Sequence, residues 1–270
     1  MRGSLGEKIG QGALADVHAW APGQVVKLLK AGVSWERGDY EARMTRAAFA
    51  AGLPAPEVLD EVTLEGRFGI VMSRLDGPTL LQRLRSGAMT SAQGGAILAS
   101  LYRFVHKTPP LRGMISLHYL IASAAPLMPR HIAFGILALV ERLPSGDGLC
   151  HLDLHPENVI MTAEGPKIID WAFPVRAPAA ADLARCHTTL FDLVYAPADL
   201  DPTRPHALHA AIHAEYARLA GLSSEALTAS MEPYLPILRA FALADGFTNP
   251  GRRERLAQQV EAALRSGPTP

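Results

Sequence analysis

Apolar and polar positions recur in short runs over the first 73 residues and then shift to longer helical periods. Residues 6–10, 14–20 and 24–29 are brief segments separated by glycine-containing turns, the pattern of strands. Ser34 stands at the N-cap position of a helix running to about Ala51, with Gly52 as its stop and Pro54 and Pro56 beyond. Residues 58–64 and 67–72 predict a hairpin around Glu65-Gly66. Residues 1–73 therefore predict a small sheet with one helix.

After Asp76-Gly77-Pro78 the pattern changes. Thr90 and Gln93 form a capping-box pair for a helix reaching about Lys107. Further helical periods fall at 129–142, 181–195, 205–219, 223–244 and 251–265, and one non-helical island interrupts them at 149–170. No repeat is present; the exceptions to ordinary complexity are an alanine bias and a short polar tail at 266–270. The expected organisation is a β-rich lobe at 1–76, a hinge near 73–77 and a helical lobe at 77–270.

Composition narrows the function classes. Lys and Arg number 26, equal to Asp and Glu, which leaves no electrostatic footprint for nucleic acid or an anionic membrane. The apolar run at 132–140 is too short to span a bilayer, and the first ten residues do not read as a signal peptide. The two cysteines, Cys150 and Cys186, have no metal or redox spacing. The expectation is a reduced, cytoplasmic protein, monomeric by default. Cys150 reads as a small buried hydrophobe.

The island carries the chemistry. It reads His151-Leu-Asp153-Leu-His155-Pro-Glu-Asn158, followed by Lys167-Ile-Ile-Asp170-Trp171. Phosphoryl transfer needs a carboxylate for the attacking hydroxyl, oxygen ligands for Mg²⁺ and positive charge on the nucleotide phosphates. Asp153, Asn158 and Asp170 supply the first two. Pairing of 159–161 with 167–169 as a hairpin would return Asp170 to the side of Asn158. Singly, each of these residues is an ordinary turn former; it is the set in its frame between apolar strands that points to catalysis.

The string is similar to the H-x-D-x-x-x-x-N catalytic loop of the protein-kinase-like superfamily, and in detail resembles the aminoglycoside phosphotransferase and choline kinase family. That resemblance implies an α+β, two-lobed fold with a small β-rich N-lobe and a larger helical C-lobe. It implies ATP or GTP with Mg²⁺ as cofactors, and a hydroxyl-bearing small molecule as acceptor. It makes Asp153 the catalytic carboxylate, Asn158 and Asp170 the metal ligands, and His151 and Asp182 the supports of the loop. Lys27, in Val25-Val26-Lys27, resembles the strand lysine on the phosphates, and Glu41 its ion-pair partner. Gly10 and Gly12 resemble a reduced glycine loop, with Ala15 where a third glycine would stand. Ser73 and Leu75 lie in a stretch that resembles the hinge whose backbone meets the adenine.

Rivals exist for several of these roles. Lys30 competes with Lys27 but points to the opposite face of a strand. Glu36 and Asp39 compete with Glu41 on the same helix. His155 either touches a γ-phosphate or faces solvent. His206, His209 and His213 share a helical face at a spacing that suits a metal, yet no carboxylate or cysteine pattern supports one.

A protein acceptor is disfavoured, because helix resumes near Asp182 and leaves no long activation segment after Asp170. A polycationic acceptor needs carboxylates. From Asp76 to Glu141 there are none between, whereas Asp192, Asp199, Asp201, Glu215, Glu232 and Asp245 are available for a pocket. An aminoglycoside, another hydroxylated antibiotic, choline or a sugar all fit the same core, and a nucleotide-binding pseudokinase is the non-catalytic alternative.

Overall fold

The computed structural model describes residues 5–193, 203–244 and 250–266. These group into two compact units, one of residues 1–80 with 157–173, the other of 81–156 with 174–270.

The first unit is built on a five-stranded antiparallel sheet. Its strands are β1 (Lys8–Gln11), β2 (Ala15–Ala21), β3 (Gln24–Leu29), β4 (Val58–Leu64) and β5 (Arg67–Ser73), in the order β1-β2-β3-β5-β4. The β4–β5 turn puts Glu65 at φ 51° and Gly66 at φ 73°, the left-handed pair that a tight hairpin requires. One helix, α1 (Trp35–Ala50), covers the sheet. Ala15, Leu29, Ala42, Val58, Phe68 and Ile70 form the core. Gly38 lets α1 approach, since a Cβ there would overlap Phe68. Ser34 occupies the N-cap position in extended conformation, but its side chain makes no capping bond.

A second sheet in this unit is the hairpin of β8 (Val159–Thr162) and β9 (Gly165–Ile168), preceded by a 3₁₀ turn at Pro156–Asn158. The segment that leaves β5 is sewn to it. Met161 donates its amide to the Pro78 carbonyl at 2.9 Å, Thr79 bridges Ile160, and a Cβ on Gly77 would overlap the Met161 carbonyl.

The second unit is mainly helical: α2 (Leu80–Arg85), α3 (Ser91–Lys107), α4 (Leu117–Ala124), α5 (Arg130–Val140), α6 (Ala179–His187), α7 (Thr203–Ala220), α8 (Ser224–Met231), α9 (Leu235–Ala244) and α10 (Pro250–Ser266). Short strands β6 (Ile115–Ser116), β7 (Leu149–Cys150) and β10 (Val175–Arg176) tie the loops together in the order β6-β10-β7. The Thr90–Gln93 capping box forms in both directions, at 3.2 and 2.9 Å. Leu98, Leu117, Ile121, Ile132, Ile136 and Leu149 are fully buried beside Tyr102, each of these aliphatic side chains contributing roughly 1.5–3 kcal/mol. α3 and α7 pack closely at Gly95, where a Cβ would overlap Ala211.

The single helix expected over 223–244 is two helices, with a 3₁₀ turn at Glu232–Tyr234. Pro233 supplies the cause, because it has no N–H to donate and its ring obstructs the preceding turn. Among the described residues, no helix is long and apolar enough to cross a membrane.

Candidate active site

The first unit gathers three charges. Lys27 sits on β3 between Val26 and Leu28, whose side chains take the opposite face of the sheet. Its Nζ lies 2.6 Å from Glu41 Oε1 on α1 and 3.0 Å from Asp170 Oδ1. Burial opposes the ammonium charge, but Asp170 and Glu41 together hold it above the ordinary lysine value. Glu41 is buried, whereas Asp39 pairs with Arg43 at 2.8 Å on the exposed side of α1. Lys30 is elsewhere too, donating to the Gly12 carbonyl at 2.7 Å. Lys27 and Glu41 thus pair with each other, while Lys30 and Asp39 have other partners.

Asp170 has φ 63°, a left-handed conformation for a residue other than glycine. Two bonds hold that turn. The Trp171 indole, itself fully buried, donates to the Ile168 carbonyl at 3.1 Å, and Ile169 donates its amide to the Asn158 carbonyl at 3.0 Å. The second bond brings Asn158 and Asp170 into register at the end of the β8–β9 hairpin.

The glycine segment is a tight connection. Gly10 pairs with Val17 across β1 and β2, and the Gly12 amide donates to the Ala15 carbonyl at 2.8 Å. At the far end of the sheet, the Ser73 amide donates to the Glu57 carbonyl at 2.9 Å, so its N–H is engaged within the sheet. Leu75 follows, half-buried.

The second unit holds the loop that carries Asp153. Asp182, on α6 and fully buried, accepts the His151 amide at Oδ2 and the Leu152 amide at Oδ1, both at 2.8 Å. His151 is buried, and its Nδ1 faces the Asp153 amide at 3.2 Å. Leu152 takes φ 59°. Asp153 remains partly exposed, with His155 Nε2 at 3.8 Å and an Arg185 guanidinium nitrogen at 4.0 Å. His155 therefore neighbours the aspartate and is largely buried.

Three supporting residues were not visible as such in the sequence. Arg185 on α6 donates from Nε to the Leu152 carbonyl at 3.2 Å, its guanidinium resting on Phe241. Tyr102 on α3 donates to the Leu154 carbonyl at 2.5 Å, and burial pushes its phenol up, which keeps it a donor. One turn on, His106 reaches Asp182 Oδ2 at 3.1 Å and the Tyr216 hydroxyl at 2.8 Å. The signal available was a histidine among the apolar positions of α3, a polar group that burial obliges to find partners.

Cys150 joins His106 and Asp182 in a group whose potential ligand atoms lie within 4.8 Å of one another. Hydrogen bonds account for that group. Both Asp182 oxygens already accept N–H donors, while burial pushes the Cys150 thiol well up and its sulfur faces the Ala177 carbonyl at 3.4 Å. On α7, His206 and His209 pack against Phe191, the His187 and His209 rings meet edge to face at 4.9 Å, and His213 lies beside His209. Of the acidic residues expected for a pocket, Glu215 pairs with Arg218 at 2.6 Å. Asp199, Asp201, Asp245 and the side chain of Asp192 lie outside the described residues.

Comparison with known proteins places this geometry. Among solved structures the chain is similar to the aminoglycoside phosphotransferase APH(4)-Ia in ternary complex with AMP-PNP and hygromycin B, at 16% identity over 99% of this chain and 95% of that one, with a TM-score of 0.65. It is similar to a choline/ethanolamine kinase family protein from Mesorhizobium loti, at 18% identity over 98% and 93%, TM-score 0.54. A third is the aminoglycoside phosphotransferase APH(3'')-Id from Streptomyces rimosus in complex with ADP and streptomycin, at 17% identity over 82% and 90%, TM-score 0.55. No curated protein sequence matches. The chain thus shares the α+β fold of these phosphotransferase and kinase structures. Residues 8–222 match the model of the phosphotransferase enzyme family, and the chain belongs to that family.

Proposed function

We propose that the protein transfers the γ-phosphate of ATP or GTP, with Mg²⁺, to a hydroxyl of a small molecule. The observation that carries this reading is Lys27 held by two carboxylates, Glu41 at 2.6 Å and Asp170 at 3.0 Å. One lysine between two carboxylates leaves a net negative charge, and Asp170 is the more exposed of the two acids, at 36% against 7% for the other. That donor set suits a hard divalent cation, which takes oxygen ligands. Asn158 and Asp170 would hold Mg²⁺, which when bound neutralises charge on the β- and γ-phosphates.

The remaining roles fall to the chain's own groups. Lys27, steadied by Glu41, binds the α- and β-phosphates. Gly10 and Gly12 pass the backbone over the phosphates, and the hinge at Ser73 and Leu75 meets the base. Asp153 orients the acceptor hydroxyl and accepts its proton as the new P–O bond forms. His151 and Asp182 keep that aspartate in place. Catalysis is positioning and charge stabilisation, without a phospho-enzyme. In domain terms, residues 1–76 serve the nucleotide, 73–77 act as hinge, and 77–270 carry the catalytic loop and the acceptor pocket.

The structural neighbours carry hygromycin B and streptomycin, which makes an aminoglycoside or another hydroxylated antibiotic the first acceptor class to try here; choline and simple sugars follow. The test is a coupled ADP-release assay across that panel, with Asp153→Asn as the blank. Acceptor-dependent release that disappears in the variant supports the reading and names the class. Nucleotide binding with no acceptor-stimulated release above the Asp153→Asn level rejects it in favour of a nucleotide-binding protein without transfer.

A further inference from the structure

The helical unit holds a cavity of about 240 Å³. Its walls include Leu81 and Leu84 of α2, Met89 of the α2–α3 connection, Leu208 of α7, Leu190 and Pro156. Leu81, Leu190 and Leu208 are buried, whereas Leu84 and Met89 are half-buried, so the apolar lining continues outward to solvent. The walls are held in place by packing. A Cβ on Gly94 of α3 would lie 2.9 Å from Leu84 and 3.5 Å from Leu208, so α2 and α7 meet over a position without a side chain. An apolar cavity of about 150 Å³ holds one benzene ring, and this one has room for a ring with substituents.

The charge of the lining selects its occupant. Among the described residues that line the cavity there is no Asp or Glu, and the one charged side chain is Arg85, itself exposed. An ammonium group placed there would lose its water without gaining a partner and would face a like charge. An uncharged apolar group gains by leaving water.

Position ties the cavity to the chemistry. Pro156 stands three residues after Asp153, which limits the separation of their Cα atoms to about 11 Å. Leu190 follows α6, the helix whose Arg185 lies 4.0 Å from Asp153 and bonds the Leu152 carbonyl. A molecule with its apolar part in the cavity therefore has Asp153 within the length of a small molecule.

We propose that this cavity binds the apolar ring of an uncharged, hydroxylated acceptor, and that the substrate is of this kind rather than a polycationic aminoglycoside. This rests on the reading of Asp153 as the residue that takes the acceptor hydroxyl.

The experiment has two parts. The first titrates the full chain with N-phenyl-1-naphthylamine, an uncharged aromatic probe whose fluorescence rises in apolar surroundings. One saturable equivalent is expected. Leu84→Glu and Met89→Glu should each weaken it at least about 10-fold, because each sets an unpaired charge against the bound ring. The two residues lie on different segments, so either variant serves if the other does not fold. The second part repeats the ADP-release panel with the same variants. Uncharged hydroxylated antibiotics should give the lowest acceptor KM and should displace the probe. Their acceptor KM should rise at least about 10-fold in both variants, while nucleotide KM stays within about twofold. No saturable probe binding, or binding equally tight in the folded variants, overturns the cavity as a site. Turnover of an acceptor that neither displaces the probe nor responds to the variants overturns its assignment to the acceptor. Absence of acceptor turnover across the whole panel overturns the phosphotransfer reading and the acceptor assignment with it, whereas a failed probe titration beside intact turnover overturns the cavity alone.

Discussion

Lys27 and Asp153 are both fixed, but Lys27 is fixed by charge and Asp153 by the backbone that precedes it. Two carboxylates surround the lysine, and one of them, Asp170, reaches solvent. An ion pair with one exposed partner can exchange that partner for a ligand, because the lost attraction is replaced rather than abolished. The loop around Asp153 is bonded to Asp182, Arg185 and Tyr102, all buried, and His106 backs Asp182 from behind. Removal of any of these leaves a dry polar group without a partner, so that arrangement is built to stay as it is. Lys27 is therefore held by charges that can re-pair, and the backbone before Asp153 by buried bonds that cannot.

The largest expected effect breaks the charge-held side. Lys27→Met leaves Glu41 buried without its partner and should lower unfolding free energy by about 3–5 kcal/mol, besides abolishing turnover. Adding Glu41→Leu sharpens the point: denaturant unfolding should return close to wild-type stability while turnover stays lost. A double variant as unstable as the single one would show that the sheet needs the pair for packing.

Next is Asp182→Asn, which offers at most one acceptor oxygen to the His151 and Leu152 amides. Leaving one such donor unpaired costs about 1–3 kcal/mol, and kcat should fall with nucleotide affinity preserved. Equal loss of affinity and rate in calorimetry and kinetics would contradict the contrast drawn above.

A pH scan tests a part of the second unit away from the loop. Burial, followed by the charges of His187, His213 and His206, lowers His209 from 6.5 to about 3. The folded chain therefore resists protonating a group that the unfolded chain protonates readily. That contribution is intact above about 6.5 and is lost progressively as pH falls toward about 3. Thermal melts of the wild type should drop over that window, and His209→Gln should drop less. Parallel curves would refute the assignment.

The smallest effect is Thr90→Ala, which removes one half of the α3 capping box. It should cost about 1 kcal/mol and leave kinetics alone. A change in kcat would mean that the start of α3 communicates with the loop through Tyr102 and His106.

Much of the first unit could be read from sequence because its signals are local. Strand runs, the Glu65-Gly66 turn and the single helix depend on neighbours in the chain, and the positions of Glu41 and Lys27 follow from strand and helix periods. The β8–β9 hairpin that brings Asn158 and Asp170 together was legible for the same reason. The two-residue strands β6, β7 and β10 were not, since no periodicity shows in two residues. α2 and α4 escaped as well, being only 6 and 8 residues long. His106, Tyr102 and Arg185 escaped for a different reason. Their partners are 76, 52 and 33 residues away, and sequence reads such residues as members of an amphipathic face.

The stretch from Asp76 to Thr79 is exposed for most of its length and resembles a spacer whose length is free to vary. Its bonds to the β8–β9 hairpin say otherwise: Met161 is tied to Pro78, Ile160 is bridged to Thr79, and Gly77 has no room for a side chain. Insertion tolerance follows backbone bonding rather than exposure. A residue added here would slip the pairing of the hairpin whose first residue follows Asn158. In gene fusion or permutation this segment is thus a poor place to cut, whereas the Gly165 turn at the other end of the hairpin, where a side chain would meet nothing within 4 Å, is open to grafted sequence that keeps the glycine's backbone geometry.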